Sequence, residues 1–266
     1  MTRILNIAIA GCAGRMGRQL VEAAHCAGHK VSGGSEAPGS DTLGKDLGVL
    51  AGLEPIGVAA QTDIVSAAQT ADVWIDFTVP AATLAALSET GAPAFVIGTT
   101  GFSDAEERQI QVASKTAAIV KAGNFSLGVN LLEALVKQAA ARLGTDWDIE
   151  ILETHHKHKV DAPSGTALML GDAAAAGRSK SLSEVRAEPY NGPDAQRVPG
   201  EIGFSVRRTG GVIGDHEVTF GSEMEILSLR HTALDRAVFA YGAIKAAEWV
   251  ASQPSGLYDM SDVLGV

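Results

Sequence analysis

The sequence predicts an α/β protein in which a doubly wound parallel sheet is joined to a second, smaller α+β domain with a mixed or antiparallel sheet. Three observations lead to this prediction. Short apolar segments alternate with helical patterns in the first half of the chain, glycine-rich turns follow several of these segments, and the alternation changes after residue 128. The length of 266 residues is typical of about two domains.

The first half contains the regular alternation. Residues 4–10 are a short apolar run that ends at a glycine, which is typical of a buried parallel strand. Ser103 with Glu106 three residues later is a capping-box pattern that predicts a helix start. The other elements predicted here are strands at 30–35, 72–78, 93–97 and 117–121, helices at 15–27, 81–90 and 103–115, and a Gly- and Pro-rich loop at 37–57.

The second half has a different pattern. Trp147, Ile149 and Ile151 alternate with acidic residues, which predicts a half-buried strand at 147–153. We predict helices at 131–143 and 233–252, a long loop with three prolines at 177–200, and strands at 202–206, 218–220 and 224–229. The last helix is expected to pack back on the first domain, so that residues 1–128 and 238–266 form one domain and residues 129–237 the other.

Composition excludes several classes of protein. Apolar residues make up 46% of the chain, which is enough for a folded core. The net charge of −10 gives no long-range attraction to DNA or an anionic membrane, so neither partner is expected. Two cysteines, no signal-peptide pattern and no long apolar run predict a protein of the reducing cytoplasm. Neither cysteine has a plausible catalytic partner, and Cys26 is expected to be buried packing.

A glycine turn links the first strand to the first helix. Gly11, Gly14 and Gly17 have the spacing G-x-x-G-x-x-G, where small residues let the backbone approach a pyrophosphate at a helix N-terminus. Glu36 follows Gly17 by 19 residues, close to where an acidic residue that binds the adenosine ribose is expected. The pattern favours a Rossmann-like dinucleotide site over a tight turn that binds no ligand.

Two later turns follow strands of the same predicted sheet. They are Gly98-Thr99-Thr100-Gly101 and Ala122-Gly123-Asn124-Phe125. Ligands of open α/β sheets bind beyond the carboxyl ends of the strands, so both turns would line the same crevice near the nicotinamide. Taken alone, each is equally consistent with an ordinary loop.

A cluster of histidines follows the strand predicted at 147–153. Three of the seven histidines lie in His155-His156-Lys157-His158, and Lys159 comes next. Pro163 disfavours helix just before it, so we expect a loop at 155–163, with Ser164 capping the next helix and its first amides facing outward. Imidazoles, lysines, a hydroxyl and amides together suit a small polycarboxylate.

Other interpretations of this cluster compete. Histidines bind metals, but two lysines among them repel a cation, so no metal is expected. A solvated polar loop is the general alternative, and it fits poorly with a capped helix and a Pro-Ser-Gly turn.

These segments carry a family resemblance that extends over the whole chain. The chain resembles the dihydrodipicolinate reductases, also called 4-hydroxy-tetrahydrodipicolinate reductases, of bacterial and plant lysine biosynthesis. The most specific segment is residues 153–167, from Glu153 to Ala167. Further agreement comes from residues 11–17, 75–78, 98–102, 124–126, 198–200 and 230–239.

The resemblance implies a function and a set of site residues. Such an enzyme takes a hydride from NADH or NADPH and reduces 4-hydroxy-tetrahydrodipicolinate, with loss of water, on the diaminopimelate route to lysine. His155 matches the catalytic histidine and Lys159 the general acid. His156, Ser164, Gly165 and Thr166 match positions that hold the substrate carboxylates. The positions that match cofactor contacts are Gly11, Cys12, Ala13, Gly14, Arg15, Met16, Glu36, Gly98, Thr99, Thr100, Ala122, Gly123, Asn124 and Phe125. A homotetramer formed through the sheet of the second domain is also implied.

One departure from the family pattern bears on the cofactor. Many members have an arginine after the acidic residue, whereas Glu36 is followed here by Ala37 and Pro38. A carboxylate suits a ribose hydroxyl and repels a phosphate, so NADH is expected to bind better, while Arg15 could still reach the phosphate of NADPH. Two alternatives stay open: another NAD(P)-linked dehydrogenase of a small amino or dicarboxylic acid such as aspartate, and a non-catalytic dinucleotide sensor.

Overall fold

A computed structural model describes residues 3–193 and 195–266 of the chain. It divides them into two compact units, one formed by residues up to Ser126 with Ala237–Gly265, the other by Leu127–Arg236. The strands are β1 (Asn6–Ala10), β2 (Lys30–Ser35), β3 (Val73–Asp76), β4 (Ala94–Ile97), β5 (Ala118–Lys121), β6 (Asp148–His155), β7 (Ile202–Arg208), β8 (Gly214–Gly221), β9 (Ile226–Ala233) and β10 (Gly256–Tyr258). The helices are α1 (Arg15–Cys26), α2 (Leu47–Leu50), α3 (Ile64–Ala68), α4 (Pro80–Glu89), α5 (Asp104–Ala113), α6 (Leu127–Arg142), α7 (Gly165–Gly177), α8 (Leu182–Val185), α9 (Ala237–Val250) and α10 (Met260–Leu264).

The first unit is a doubly wound parallel sheet, as predicted. Its strand order is β2-β1-β3-β4-β5-β10, and every neighbouring pair is parallel. Helices α1 and α9 pack together on one face, and the other face packs against α3, α4 and α5 around the fully buried Trp74 and Phe95. All of these strands therefore direct their carboxyl ends to the same edge of the sheet.

The second unit has the mixed sheet that the sequence predicts. Its order is β7-β6-β8-β9, where β6 and β7 are parallel and the other two pairs are antiparallel. Burial alternates strictly along β6, so one face packs on α6 and α7 around residues such as Ile149 and Ile151. The inward positions of β6 continue with Glu153 and His155, which are polar.

Two predicted loops contain short helices. Helix α2 lies within the loop predicted at 37–57. It starts there because the Asp46 carboxylate caps it by accepting hydrogen bonds from the amides of Gly48 and Val49. Helix α8 lies within 177–200, where the Glu184 carboxylate accepts from the amide and hydroxyl of Ser181. The capping box of Ser103 and Glu106 at the start of α5 is confirmed.

Three further expectations differ from the structure. His155 was expected in a loop but is the last residue of β6, because the alternating pattern extends two residues beyond 153. Cys26 was expected to be buried but is exposed at the end of α1. Strand β10 and helix α10 were not predicted, since a three-residue strand has too little periodicity to recognise. No helix among the described residues is long and apolar enough to cross a bilayer.

Candidate active site

The glycine turn, residues 11–17, connects β1 to α1 as predicted. Gly11 has a φ of +59°, a left-handed conformation that side chains disfavour, and the Gly14 amide donates to the Gly11 carbonyl at 2.9 Å. A Cβ at Gly17 would lie 2.1 Å from the Gly11 oxygen, so only glycine permits this approach of helix and turn. Helix α1 has no side-chain cap and no acidic residue in its first turn, where Arg15 and Met16 lie. Its N-terminus therefore has the polarity that an anion requires.

Glu36 lies directly after β2 and contacts the glycine turn. Its Oε2 accepts from the Ala13 amide at 3.1 Å and its Oε1 from the Ala37 amide at 2.9 Å. Glu36, Gly11 and Asp76 line a cavity of about 470 Å³ in the first unit. The residue predicted to select the ribose thus lies at the glycine turn.

The later turns lie at the same edge of the sheet. Thr99, which follows β4, is buried and donates to Asp76 Oδ1 at 3.1 Å. Thr78 donates to the same oxygen at 2.6 Å, so a threonine pair fixes the end of β3 against the end of β4. The other predicted cofactor residues of these turns are Gly98 and Thr100 after β4 and Ala122, Gly123, Asn124 and Phe125 after β5. The structure therefore brings all the predicted cofactor residues to the carboxyl edge of one sheet.

Cys12 is buried within the glycine turn. Burial raises the pKa of its thiol to about 12, and the nearby Glu36 carboxylate adds to this effect. The thiol is therefore protonated at neutral pH, and the expectation that Cys12 is not a nucleophile agrees with its position.

The strand β6 ends in a buried pair of a carboxylate and an imidazole in the second unit. Glu153 is 1% exposed and His155 is 8% exposed, and His155 Nδ1 lies 2.6 Å from Glu153 Oε2. Arg208, at the end of β7, binds Glu153 with both terminal nitrogens, at 2.7 and 2.8 Å. The Ser164 amide donates to Glu153 Oε1 at 2.9 Å. Burial raises the pKa of Glu153, but the hydrogen bonds from Arg208, His155 and Ser164 outweigh it, so that the pKa lies below its usual value.

His216 completes this arrangement from β8. Its Nε2 lies 3.1 Å from the Ser164 hydroxyl, and its ring meets the His155 ring edge-on at a centroid distance of 5.1 Å. Burial lowers the pKa of His216 to about 4, and the neighbouring His155 contributes to the shift, so His216 is neutral at physiological pH. We refer to Glu153, His155, Ser164, Arg208 and His216 as the Glu153 cluster.

The predicted loop begins at His156 and carries the remaining candidates. Lys159 Nζ forms an ion pair with Asp161 at 2.9 Å, and the Lys159 amide donates to the His156 carbonyl at 3.1 Å. His156 Nε2 lies 3.4 Å from Arg236. Partial desolvation lowers the pKa of His156, and the charge of Arg236 lowers it further.

Ser164 caps helix α7 as predicted. Its hydroxyl accepts from the Ala167 amide at 3.2 Å, and Gly165 and Thr166 form the first turn. The structure thus places all six predicted catalytic and substrate residues, from His155 to Thr166, at one end of β6 and at the start of α7.

Sequence reasoning assigned no role to three members of the Glu153 cluster, which are Glu153, Arg208 and His216. One signal was present: Glu153 and His216 occupy inward positions that continue the apolar inward residues of their strands, Ile149 and Ile151 in β6 and Val218 and Phe220 in β8. A polar residue at such a position requires a buried partner. The partner itself is not visible from the spacing.

A doubly wound parallel sheet with a glycine turn, joined to a mixed-sheet unit with a buried cluster of ionisable side chains, is typical of the class of two-domain, dinucleotide-dependent oxidoreductases. The family model described as dihydrodipicolinate reductase, N-terminus, matches residues 5–125, and the model of the C-terminus matches residues 128–264. The chain belongs to the dihydrodipicolinate reductase family and is an oxidoreductase.

Individual relatives agree with this assignment. The chain is 53% identical to a 4-hydroxy-tetrahydrodipicolinate reductase of Parvibaculum lavamentivorans and 49% identical to one of Dinoroseobacter shibae, with all of each chain covered. Among solved structures, a dipicolinate-bound dihydrodipicolinate reductase from Paenisporosarcina sp. TG-14 matches with a TM-score of 0.75 at 26% identity. That match covers 97% of this chain and 98% of the other.

Proposed function

We propose that this protein reduces 4-hydroxy-tetrahydrodipicolinate to tetrahydrodipicolinate, with loss of water, by using NADH or NADPH. One observation carries the proposal. The segment from His155 to Thr166 places an imidazole, an ammonium group, a capping hydroxyl and the amides of a helix N-terminus at one end of the second unit. Membership of the reductase family supports the same substrate.

The first unit fits the dinucleotide. The turn at residues 11–17 has glycine at three positions, so the backbone at the start of α1 can approach a pyrophosphate closely. Glu36 lies where a ribose hydroxyl would donate to it, and the turns after β4 and β5 would hold the nicotinamide half. In this proposal, residues 1–128 with 238–266 bind the dinucleotide and residues 129–237 bind the substrate.

The second unit suits a diacid. Ser164, Gly165 and Thr166 start α7, whose dipole favours an anion, and His156 lies next to the cationic Arg236. A relative of this chain has been solved with dipicolinate, a planar aromatic diacid. We assign His156 and the Ser164–Gly165–Thr166 turn to the substrate carboxylates.

The chemical step needs a proton donor. Loss of the 4-hydroxyl as water leaves a C=C bond conjugated to the ring imine, and bound NADH or NADPH would supply hydride to this conjugated system. Negative charge then develops on the ring, and one proton restores neutrality. Lys159 donates the proton from Nζ, and Asp161, 2.9 Å away, holds this ammonium in place before substrate arrives. His155 adds an oriented imidazole beside the developing charge.

Glu36 favours NADH over NADPH. Both of its oxygens accept backbone amides, from Ala13 and Ala37, so the carboxylate is fixed at the turn. A fixed negative charge repels the 2′-phosphate of NADPH, and the arginine that would offset it is replaced by Ala37. We expect a lower KM for NADH, and a tenfold or greater preference for NADPH would contradict this assignment.

A homotetramer formed through the sheet of the second unit completes the proposal. Ile226 and Leu227 of β9 are 71% and 40% exposed, and Met224 before them is 95% exposed. Exposed apolar strand residues of this kind mark an interface. Mass photometry should give four chains per particle.

We also propose that the enzyme acts in the cytoplasm, in the synthesis of diaminopimelate and lysine.

The decisive experiment follows NADH oxidation after the synthase of the preceding step has generated the substrate. We expect turnover that dipicolinate inhibits competitively against the substrate. Turnover of aspartate without turnover of this substrate would favour another dehydrogenase, and NADH binding without any turnover would favour a dinucleotide sensor.

A further inference from the structure

The Glu153 carboxylate receives hydrogen bonds from three separate parts of the second unit. His155 Nδ1 lies 2.6 Å from Oε2 within β6, and the Ser164 amide donates to Oε1 at 2.9 Å from the start of α7. Arg208 donates to both oxygens from the end of β7. One buried side chain therefore connects the imidazole assigned to catalysis with the turn assigned to the substrate carboxylates.

Arg208 fixes the orientation of the Glu153 carboxylate, although it belongs neither to the residues assigned to catalysis nor to those assigned to the substrate carboxylates. Its planar guanidinium binds both oxygens of Glu153 in the fork geometry, and it also donates to the Asp161 carbonyl at 2.7 Å. Its partner Glu153 is almost fully buried, so loss of either member would leave an uncompensated charge. The orientation of the carboxylate is thus determined by a charge-assisted, two-point contact.

The contact with Glu153 determines which nitrogen of His155 carries a proton. An ionised carboxylate only accepts hydrogen bonds, so His155 Nδ1 must be the donor, and Nε2 is left to meet the reactants. Gly214 keeps that side open, because a Cβ there would lie 3.2 Å from His155 Nε2. The carboxylate therefore selects both the tautomer and the direction of the ring.

We infer that Glu153, held by Arg208, is a positioning residue that orients His155 Nε2 and the start of α7 as one unit, a role that rests on the proposed reductase function. Glu153 does not touch the reacting atoms. It acts through the imidazole and through the Ser164 amide, so that the ring and the carboxylate-binding turn keep a fixed mutual position. A carboxylate that holds a catalytic imidazole in one tautomer is a recurring device in enzymes.

The test replaces Glu153 with glutamine. Arg208 donates to both oxygens, so either orientation of the amide sets an NH₂ group against an N–H donor. We expect kcat to fall roughly tenfold or more, the KM of the substrate to rise, and the KM of NADH to stay unchanged. In ¹⁵N NMR spectra, the neutral His155 ring, assigned with a His155→Gln variant, should be the Nδ1–H tautomer in the wild type and shift toward Nε2–H in the variant.

Two controls separate this role from general destabilisation. Glu150→Gln changes the same residue type on the opposite face of β6, where Glu150 contacts Tyr190 and Arg197, and it should leave kcat and the tautomer unchanged. Gly214→Ala crowds Nε2 without touching Glu153, so it should lower kcat and keep the Nδ1–H tautomer. If Glu153→Gln does not fold, Arg208→Lys replaces the fork with a single point charge. Glu153 still accepts from His155 Nδ1 in that variant, so the Nδ1–H tautomer should be kept while kcat falls to a smaller extent because the carboxylate is less firmly oriented.

The outcomes distinguish this inference from the proposed function. A wild-type protein without reductase activity contradicts the function, while the NMR comparison still tests whether Glu153 sets the tautomer. An active wild type together with an unchanged tautomer and kcat in Glu153→Gln overturns the positioning role. Where that variant does not fold, an unchanged kcat in Arg208→Lys overturns it.

Discussion

In the glycine turn of the first unit, the groups available to a ligand are backbone amides, whereas in the Glu153 cluster of the second unit they are side chains. The turn requires a residue without a side chain at position 17, since Gly17 packs against the Gly11 carbonyl where no Cβ would fit. The cluster depends on added charge, since Glu153 is buried with two basic partners. A backbone site of this kind fails through steric conflict, and a side-chain site fails through an unpaired charge or a misplaced proton.

The largest expected effect concerns Lys159, which we propose as the proton donor and which follows β6 in the second unit. Lys159→Ala should lower kcat by roughly 10²–10³-fold, because general acid catalysis is lost. The KM of NADH should be unchanged, since the turn at Gly11–Gly17 is untouched. Lys157→Ala, an exposed lysine two positions earlier, is the matched control and should keep kcat near the wild-type value. Steady-state kinetics decide the matter, and normal turnover by Lys159→Ala would remove this residue from the proton transfer.

The next effect is a pH dependence of stability that His216 should confer on the second unit. His216 has a pKa of about 4 when folded and an ordinary value of 6.5, so between these values the unfolded chain binds a proton that the native state does not. Its contribution to stability is present above pH 6.5 and lost as the pH falls, up to about 3 kcal/mol near pH 4.

His216→Gln removes the titrating ring and keeps a polar group toward Ser164. Urea unfolding at several pH values should therefore show a flatter acid dependence in the variant than in the wild type. Glu153, whose lowered pKa acts in a more acidic range, should add its own loss of stability in both proteins. Parallel curves for the two proteins would show that His216 is not the titrating group.

A smaller effect is expected in the backbone site. Gly17→Ala would place a Cβ 2.1 Å from the Gly11 oxygen and 2.7 Å from Cys12 Cα, so the turn must move. We expect NADH to bind roughly 10- to 100-fold more weakly, by fluorescence titration, as displaced contacts of about 1 Å imply. In Gly14→Ala the new Cβ would lie 3.2 Å from the Gly11 oxygen, so the loss of NADH affinity should be smaller. Equal losses in the two variants would contradict the steric argument.

The smallest effect concerns Glu36, the acidic side chain predicted at the cofactor site. Glu36→Gln keeps an acceptor for the Ala13 amide and removes the negative charge. The ratio of the KM values for NADPH and NADH should fall by about threefold to tenfold, because a partly exposed charge contributes only about 1 kcal/mol. An unchanged ratio would mean that Glu36 does not select the cofactor.

The turn at Gly11–Gly17 was predictable because its determinants are local. Glycine spacing, a preceding strand and a following helix lie within a short window, and Ser164 as a cap is a similarly local signal. The parallel sheet followed from apolar runs that alternate with helices. Short helices such as α2 escaped because a Gly-rich segment obscured the cap at Asp46.

The long-range contacts of the Glu153 cluster were not predictable, because Arg208 and His216 are distant in sequence from their partners. Arg208 follows Glu153 by 55 residues and His216 follows Ser164 by 52. Only the pairing of β6 with β7 and β8 brings them together, and no local periodicity encodes that pairing. His155 was assigned to a loop for a related reason, since the apolar alternation ends at Ile151 although the strand does not.

Because His155 lies on a strand, the number of residues in β6 determines which way its imidazole points. Successive side chains of a strand point to opposite faces, so Glu153 and His155 share the inward face while Thr154 faces outward. Deleting or inserting one residue of β6 before Glu153 would turn the side chains of Glu153 and His155 toward solvent. Thr154 would then face inward. The residue numbers of the hydrophobic anchors, Ile149 and Ile151, and of this polar pair must therefore differ by an even number. A flexible loop would not impose this restriction.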